Sequence, residues 1–481
     1  MSEINNLKSS RIISKIKYLE HKLSDWTYYD AIRGRSLVTV VYLLFLKYLS
    51  DNELSEEKDI FKKIKENYER ERTFGYNKNI IREFLEEKLS SEENNNIILK
   101  YINELHFESM PLEFISLIDT ISDIDFSIEE EKKEVIIALV RRFSPFQSVT
   151  SLKDAIECKD ISLILSAAAL LDVTDNMEIY DFSCGMGTLL TMSVSAGNKV
   201  YGEEEDIEKA VIAAILLYMA GANNPIIEVG DVLQRPMTVN YKEKLFDRII
   251  SAPPINDRNM NARKLMQMAY IDEFLFEYST LESGAWIYAR HMIQKLKANG
   301  KGILIAPISI LSREGVTKED RTRLAERGSI EAIIQLPFTV IKSAIRLCII
   351  VLRKGHDNTA KDAALFLIDL SNRKGNDYFK ASKNQSIHYE KLAAVVAEKK
   401  EIDGISRLVT LKEMNSTEMN FTPAIYLRTI SEMLPQRENM AEMISVHRQL
   451  LEKYDETEHD LNTALSNYYT MQTEKPFKED A

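Results

Sequence analysis

Three strand-end carboxylates, a glycine turn and a proline pair are the residues of this chain whose types and order suit chemistry. Asp181 opens the run Asp181-Phe182-Ser183-Cys184-Gly185-Met186-Gly187, preceded by Ile179-Tyr180 and followed by Thr188-Leu189-Leu190. That is the pattern of a short strand, a tight turn and the first turn of a helix. Glycine at 185 and 187 lets the backbone turn sharply and approach a ligand with no Cβ in the way. Open α/β sheets hold nucleotide-like cofactors at such turns, at the carboxyl ends of the strands. Gly-x-Gly alone carries little, because many two-glycine turns bind nothing. The acids that follow carry more. Glu204 ends the next expected strand, about twenty residues on, where a carboxylate can accept from both ribose hydroxyls. Glu203 and Glu205 flank it as alternatives. Asp231, after Gly230, ends a third strand and can accept from an exocyclic amine such as adenine N6. Asp181 itself can accept from a cationic amino group. Such an acidic lining disfavours a pyrophosphate and favours a cofactor that joins an amino acid to an adenosine, such as S-adenosylmethionine. The plainer alternative is three solvated loop acids; their ordered spacing argues for a site.

These residues need a scaffold, and the apolar pattern supplies one. Expected strands are Ile179–Asp181, Lys199–Glu204, Ile226–Asp231, Phe246–Ser251, Gly302–Ala306, Ile330–Ile334, Arg346–Leu352 and Leu365–Asp369, with helices such as Ile161–Leu171 and Ile207–Tyr218 between them. Strands alternating with helices of this length imply crossover units, hence a mainly parallel sheet with helices on both faces. Residues 1–145 read as an N-terminal helical domain. Ile12, Ile16, Leu19 and Leu23 recur at helical spacing, and Leu37–Leu46 is apolar nearly all round, as at the centre of a bundle. Residues 146–427 form the expected α/β domain. Residues 428–481 read as a C-terminal helical segment, in which Met440, Met443, Ile444, His447, Leu450, Leu451, Tyr454, Leu461, Leu465 and Tyr468 trace a narrow stripe near coiled-coil spacing. That stripe suits packing on its own domain or docking on a partner.

The bulk numbers bound the function. A net charge of −12 builds in no general affinity for nucleic-acid backbone, so any DNA contact comes from a local basic patch or a partner chain. Cys158, Cys184 and Cys348 lie far apart without paired spacing, which argues against disulfides or a zinc site; no metal is expected. Met1–Asn6 lacks a signal-peptide pattern, and the longest apolar run is too short to span a bilayer. A cytoplasmic protein is the expectation.

After the fourth strand comes Ser251-Ala252-Pro253-Pro254-Ile255, and with it a family resemblance. From about residue 30 to 427 the chain resembles the modification subunits of type I restriction–modification systems. The matching pieces are Arg33–Ser50, the Asp181–Gly187 turn, Tyr201-Gly202-Glu203-Glu204, Gly230-Asp231 and the strand entering the Pro-Pro turn. Gly284–Leu311, Glu331–Pro337, Leu365–Leu370 and Asn420–Leu427 match as well. The resemblance implies a Rossmann-like S-adenosylmethionine-dependent methyltransferase fold and N6-adenine methylation of double-stranded DNA. It also implies a specificity subunit docked through the C-terminal helix; a second copy or a paralogous modification subunit is a further partner it admits. The cofactor-binding residues it implies are Asp181, Phe182, Ser183, Gly185, Gly187, Glu204 and Asp231.

At the acceptor-base loop, Ala252, Pro253, Pro254 and Ile255, the chain departs from the family. The family motif is Asn-Pro-Pro-Phe or Asn-Pro-Pro-Tyr. There the Asn oxygen and the first Pro carbonyl accept the two amino hydrogens of adenine, freeing the nitrogen lone pair, while the aromatic ring stacks on the flipped base. Ala252 has no acceptor and Ile255 no π face. Loss of one oriented acceptor costs on the order of a hundred- to thousandfold in rate. The second expectation is therefore a catalytically impaired homologue that scaffolds a DNA-bound restriction or defence complex; methylation of another amine, on RNA or a glutamine side chain, is a third. Asn256 or Asp257 could replace the lost acceptor only if the rigid Pro-Pro turn were re-registered. Arg258, Arg263, Lys264 and Arg313 suit phosphate contact or a solvated loop equally. Upstream, Glu157-Cys158-Lys159 stands where the family has an aromatic and a Thr-Pro closing over the cofactor, and Phe143-Ser144-Pro145-Phe146 lies too far back without an insertion.

Overall fold

Runs of aliphatic residues buried on both sides decide the architecture. The structure is a computed structural model that describes residues 36–52, 60–63, 66, 75–89, 97–102, 114–142, 161–195, 197–222, 224–235, 244–253, 284–337, 346–355, 363–381 and 387–427. Within them one sheet holds β1 (Glu178–Asp181), β2 (Lys199–Glu204), β3 (Ile226–Val229), β4 (Phe246–Ser251) and β5 (Leu296–Pro307). It continues with β6 (Ile330–Gln335), β7 (Leu347–Arg353), β8 (Ala364–Asp369) and β9 (Ser406–Thr410). The spatial order is β3-β2-β1-β4-β5-β7-β6-β8-β9. Strands β1 to β5 are mutually parallel, and β6 is parallel to β8. β7 lies antiparallel between β5 and β6, and β9 antiparallel on β8. The sheet is parallel where the expected site sits and mixed beyond it. β5 starts earlier than expected, and β9 is a strand the apolar pattern does not announce.

Side chains alternate across the sheet. Ile303 and Ile305 join one core, Leu304 and Ala306 the other; Ile349 and Val351 divide in the same way from Ile350 and Leu352. The N-terminal elements described are all helical: α1 (Ser36–Asp51), α2 (Gly75–Leu89), α3 (Ile97–Tyr101), α4 (Phe114–Ser122) and α5 (Glu129–Arg142). Then follow α6 (Ser162–Leu171), α7 (Thr188–Ser193), α8 (Ile207–Met219), α9 (Gly284–Lys295) and α10 (Val316–Glu326), and, past β8, the helix Tyr389–Glu398. α6, α8, Tyr389–Glu398 and α1 pack into the first core; α9, α10 and the segment from Met419 to Leu427 pack into the second.

The N-terminal helices are anchored on α8. Residues Val40 to Leu46 of α1 are no more than 1% exposed, as an all-round apolar helix requires. The Phe45 and Tyr218 rings lie 5.9 Å apart, and the Tyr101 hydroxyl donates to Glu208 at 2.9 Å. α8 therefore carries the bundle on one side and the β2 strand end on the other. No helix among the described residues is long and apolar enough to cross a membrane. The stripe of Ile12 to Leu23 and that of Met440 to Tyr468 lie outside the described residues.

Candidate active site

The order β3-β2-β1-β4 aligns the expected residues along one edge of the sheet. Asp231, Glu204, Asp181 and then Ser251-Ala252-Pro253 follow the carboxyl ends of four neighbouring parallel strands. The chain winds outward from β1 to β3, then returns to β4 on the other side of β1. Such a reversal opens a crevice at the strand ends, which is where ligands bind in open α/β sheets.

The turn after β1 uses its two glycines differently. Both have positive φ, +55° at Gly185 and +76° at Gly187. A Cβ on Gly187 would stand 2.9 Å from the Cα and Cβ of Ala213 in α8, so glycine here lets the turn lie against that helix. A Cβ on Gly185 would meet nothing within 4 Å. Open space faces that residue. Hydrogen bonds fix the turn: Cys184 N–H donates to the Glu203 carbonyl and Gly187 N–H to the Cys184 carbonyl, both at 2.8 Å.

Asp181 is buried, at 1% exposure. Its Oδ1 accepts from the Ser183 N–H at 2.9 Å and from the Ser251 hydroxyl at 2.7 Å. Ser251 has one hydroxyl proton, so the 2.7 Å contact between the two serine hydroxyls has Ser183 donating to Ser251. The other oxygen, Oδ2, is buried without a hydrogen-bond partner among the described residues. Burial pushes the carboxyl up to about 7, against the two donors that pull it down, and Glu204 adds to the rise. The structure thus places a carboxylate with one oxygen held and the other waiting. Phe182, by contrast, enters the turn by its backbone only: its ring is buried on the opposite face, stacked on Tyr288 at 5.6 Å.

The alternatives at the end of β2 separate cleanly. Glu203 is buried among Tyr180 and His291, accepting from the Tyr180 hydroxyl, which also lies 3.3 Å from His291 Nε2. Glu205 is exposed. Glu204 is half-buried at the strand end, where burial raises its carboxyl above the usual range. One Glu204 oxygen accepts from the Asp206 N–H at 3.0 Å, and Asp206 in turn caps α8 through the N–H groups of Glu208 and Lys209. Asp231 folds on its own turn, accepting from Leu233 N–H and Gln234 Nε2, each at 2.9 Å.

Two apolar residues that sequence reasoning passed over stand beside these acids. Ile207, the first residue of α8, is 42% exposed, and Val229, paired in register with Glu204, is 46% exposed. Exposed β-branched residues flanking half-buried carboxylates are what a flat, partly polar ring system would cover. Neither is unusual in sequence, so only their exposure reveals them.

Ser251 ends β4, and Ala252, the next residue, packs on the edge of the first core. Ala252 and Pro253 are half-buried. Pro254 and Ile255 lie outside the described residues, as do Asn256, Asp257, Arg258, Arg263, Lys264, Phe143 to Phe146 and Glu157 to Lys159. Arg313, after β5, is exposed, and its carbonyl accepts from the buried Arg321 guanidinium.

A family model, that of the N-6 DNA methylases, matches residues 159–433. That is more than half of the chain and every strand of the sheet. The chain belongs to the N-6 DNA methylase family. Among its relatives, the type I restriction enzyme MjaVIII methylase subunit of Methanocaldococcus jannaschii is 24% identical over 305 residues, 60% of this chain and 52% of that protein. The MjaVII methylase subunit of the same organism is 24% identical over 378 residues, 71% of this chain and 64% of that protein. The chain thus spans 52% and 64% of the length of these two family members. Among solved structures, the type I restriction–modification methyltransferase subunit from Streptococcus thermophilus is alike in fold, with a TM-score of 0.59 at 17% identity, covering 86% of this chain and 100% of that one.

Proposed function

We propose that this chain binds S-adenosylmethionine at the ends of β1 to β3 and serves as the modification subunit of a DNA-modifying complex, working with a specificity subunit on double-stranded DNA. The observation that carries the cofactor half is the buried, unpartnered Oδ2 of Asp181 beside the open space at Gly185. A buried acceptor without a donor costs roughly 1–3 kcal/mol, and a cationic amino group would meet it. Glu204 supplies an acceptor for ribose hydroxyls, Asp231 one for an exocyclic amine, and Ile207 and Val229 apolar contact for the adenine ring. S-adenosylmethionine supplies an electrophilic methyl group on its sulfonium sulfur. Sequence recognition is left to the specificity subunit, docked through residues 428–481, in keeping with the net charge of −12.

Ala252 favours a second reading for the acceptor half, in which the chain binds cofactor and partners but transfers methyl groups poorly. At the residue following β4, only the Pro253 carbonyl remains to accept from an adenine amino group. The test is tritiated methyl transfer to DNA by the complex with its specificity subunit, beside an Ala252→Asn variant. On the second reading wild type is slow, and Ala252→Asn raises the rate on the order of a hundredfold or more. Wild-type turnover in the ordinary enzyme range, unchanged or lowered by Ala252→Asn, would exclude it in favour of full N6-adenine methylation.

A further inference from the structure

The hydroxyl chain between the cofactor turn and the acceptor strand belongs to neither half alone. Ser183 donates to Ser251, and Ser251 donates to Asp181, across the β1–β4 pair. Ser251 is fully buried and immediately precedes Ala252. An Asp carboxylate can rotate; with Oδ1 held by the Ser251 hydroxyl and the Ser183 N–H, Oδ2 faces away from both. Building on the S-adenosylmethionine reading above, we infer that Ser251 is a positioning residue: it holds Oδ1 of Asp181 so that Oδ2 is presented, ionised, to the α-ammonium group of the cofactor's amino-acid moiety. The acceptor strand thereby sets the affinity of the cofactor pocket, from the residue next to the one that would handle the base.

The titratable groups around Asp181 are Tyr180 beside it on β1, Cys184 in the turn, and Glu203 and Glu204 on β2, with His291 of α9 behind Tyr180. Burial holds the Tyr180 hydroxyl and the Cys184 thiol well above their ordinary ranges, so both stay neutral near pH 7. Glu204 raises Asp181 further, and the Ser251 hydroxyl is the side-chain donor that opposes the rise. One proton shared between Asp181 and the ligand's amino group is the binding state. With Asp181 titrating at about 7 and an α-amino group near ~8, affinity should peak between those values. Below the acid limb it should fall about tenfold per pH unit, because both groups are then protonated.

Calorimetry on the full chain tests this with two probes, S-adenosylmethionine and 5′-methylthioadenosine, which lacks the amino-acid group. Affinity for the first should show the acid limb, and affinity for the second should be flat. Ser251→Ala should move the limb to higher pH and weaken S-adenosylmethionine at pH 7 by about five- to tenfold, leaving methylthioadenosine within about twofold. Ser251→Thr, which keeps the hydroxyl, should restore both. An unmoved limb in Ser251→Ala, or equal loss for both probes, would overturn the positioning role while leaving the cofactor reading intact. Absence of binding by either probe at any pH would overturn the cofactor reading and this inference with it.

Discussion

Gly185 and Gly187 share a conformation but not a function, and substituting alanine at each separates fold from site. Both residues have positive φ, so either alanine costs about 1–2 kcal/mol of stability in the left-handed region. At Gly187 the new methyl would stand 2.9 Å from the Cα and Cβ of Ala213. Backbone in a packed helix cannot yield cheaply, and overpacking adds about 1–3 kcal/mol. Gly187→Ala should therefore lose about 2–5 kcal/mol, a large share of a domain stability of roughly 5–15 kcal/mol. At Gly185 the methyl meets nothing within 4 Å, so stability falls by the conformational term alone. That methyl would instead occupy the space assigned to cofactor, and S-adenosylmethionine affinity should drop at least about tenfold, or 1.4 kcal/mol. Denaturant unfolding reads the first quantity and calorimetry the second. Gly185→Ala with unchanged affinity would refute the placement of the cofactor. Gly187→Ala as stable as Gly185→Ala would refute the packing of the turn on α8.

Two further predictions follow from the same strand ends. Ile207→Ser and Val229→Ser remove exposed apolar surface, so each should leave unfolding free energy within about 0.5 kcal/mol while weakening both S-adenosylmethionine and methylthioadenosine; unchanged affinity for both ligands would remove these residues from the adenine contact. Asp181, whose folded-state value of about 7 lies above an unfolded value near ~3.9, contributes stability that is full below the unfolded value and lost as the pH rises through the folded one. Asp181→Asn should accordingly gain on wild type by about 2–3 kcal/mol between pH 5 and pH 8 while losing S-adenosylmethionine affinity. An unfolding difference independent of pH would mean that Asp181 is not the buried, raised acid described above.

What was legible in the sequence, and what was not, divides along physical lines. β6, β7 and β8 are buried on both faces, so each reads as a run of aliphatics that no loop would carry. β9 sits at the sheet edge with only Ser406 and Val409 buried, and an edge strand needs no such run. The Asp181–Gly187 turn was legible because glycine and strand-end acid are local signals. Spacing puts Glu204 at the strand end with Glu203 and Glu205 as alternatives, but which of the three lies in the core is not a local signal. It depends on which face of β2 meets Tyr180 and His291, and that is fixed by residues about a hundred positions away in α9. Ser251 is illegible for the same reason. A serine at a strand end says nothing until β4 is paired with β1 and the hydroxyl is found against Asp181.

On the proposed reading, cofactor binding and methyl transfer are separable because their determinants have different energetic signatures. A buried carboxylate with one unpartnered oxygen destabilises the free fold, and an aliphatic residue of similar size would pack there at less cost. On the proposed reading, the cofactor is the ligand that satisfies that oxygen. Ala252 carries no comparable cost: a small apolar residue packed at the edge of the first core is neutral for the fold and lacks only an acceptor for the base. An acceptor of that kind acts on the amino group as its lone pair is drawn toward the methyl carbon, an interaction stronger in the transition state than in the ground state. Introducing it with Ala252→Asn should therefore raise kcat and leave cofactor affinity within about twofold. Ser251→Ala, one residue earlier, should do the reverse and shift cofactor affinity with its pH limb. If the two neighbouring substitutions instead changed the same parameter, the cofactor turn and the acceptor loop would be acting as one unit, and a loss at Ala252 would reach the cofactor site as well.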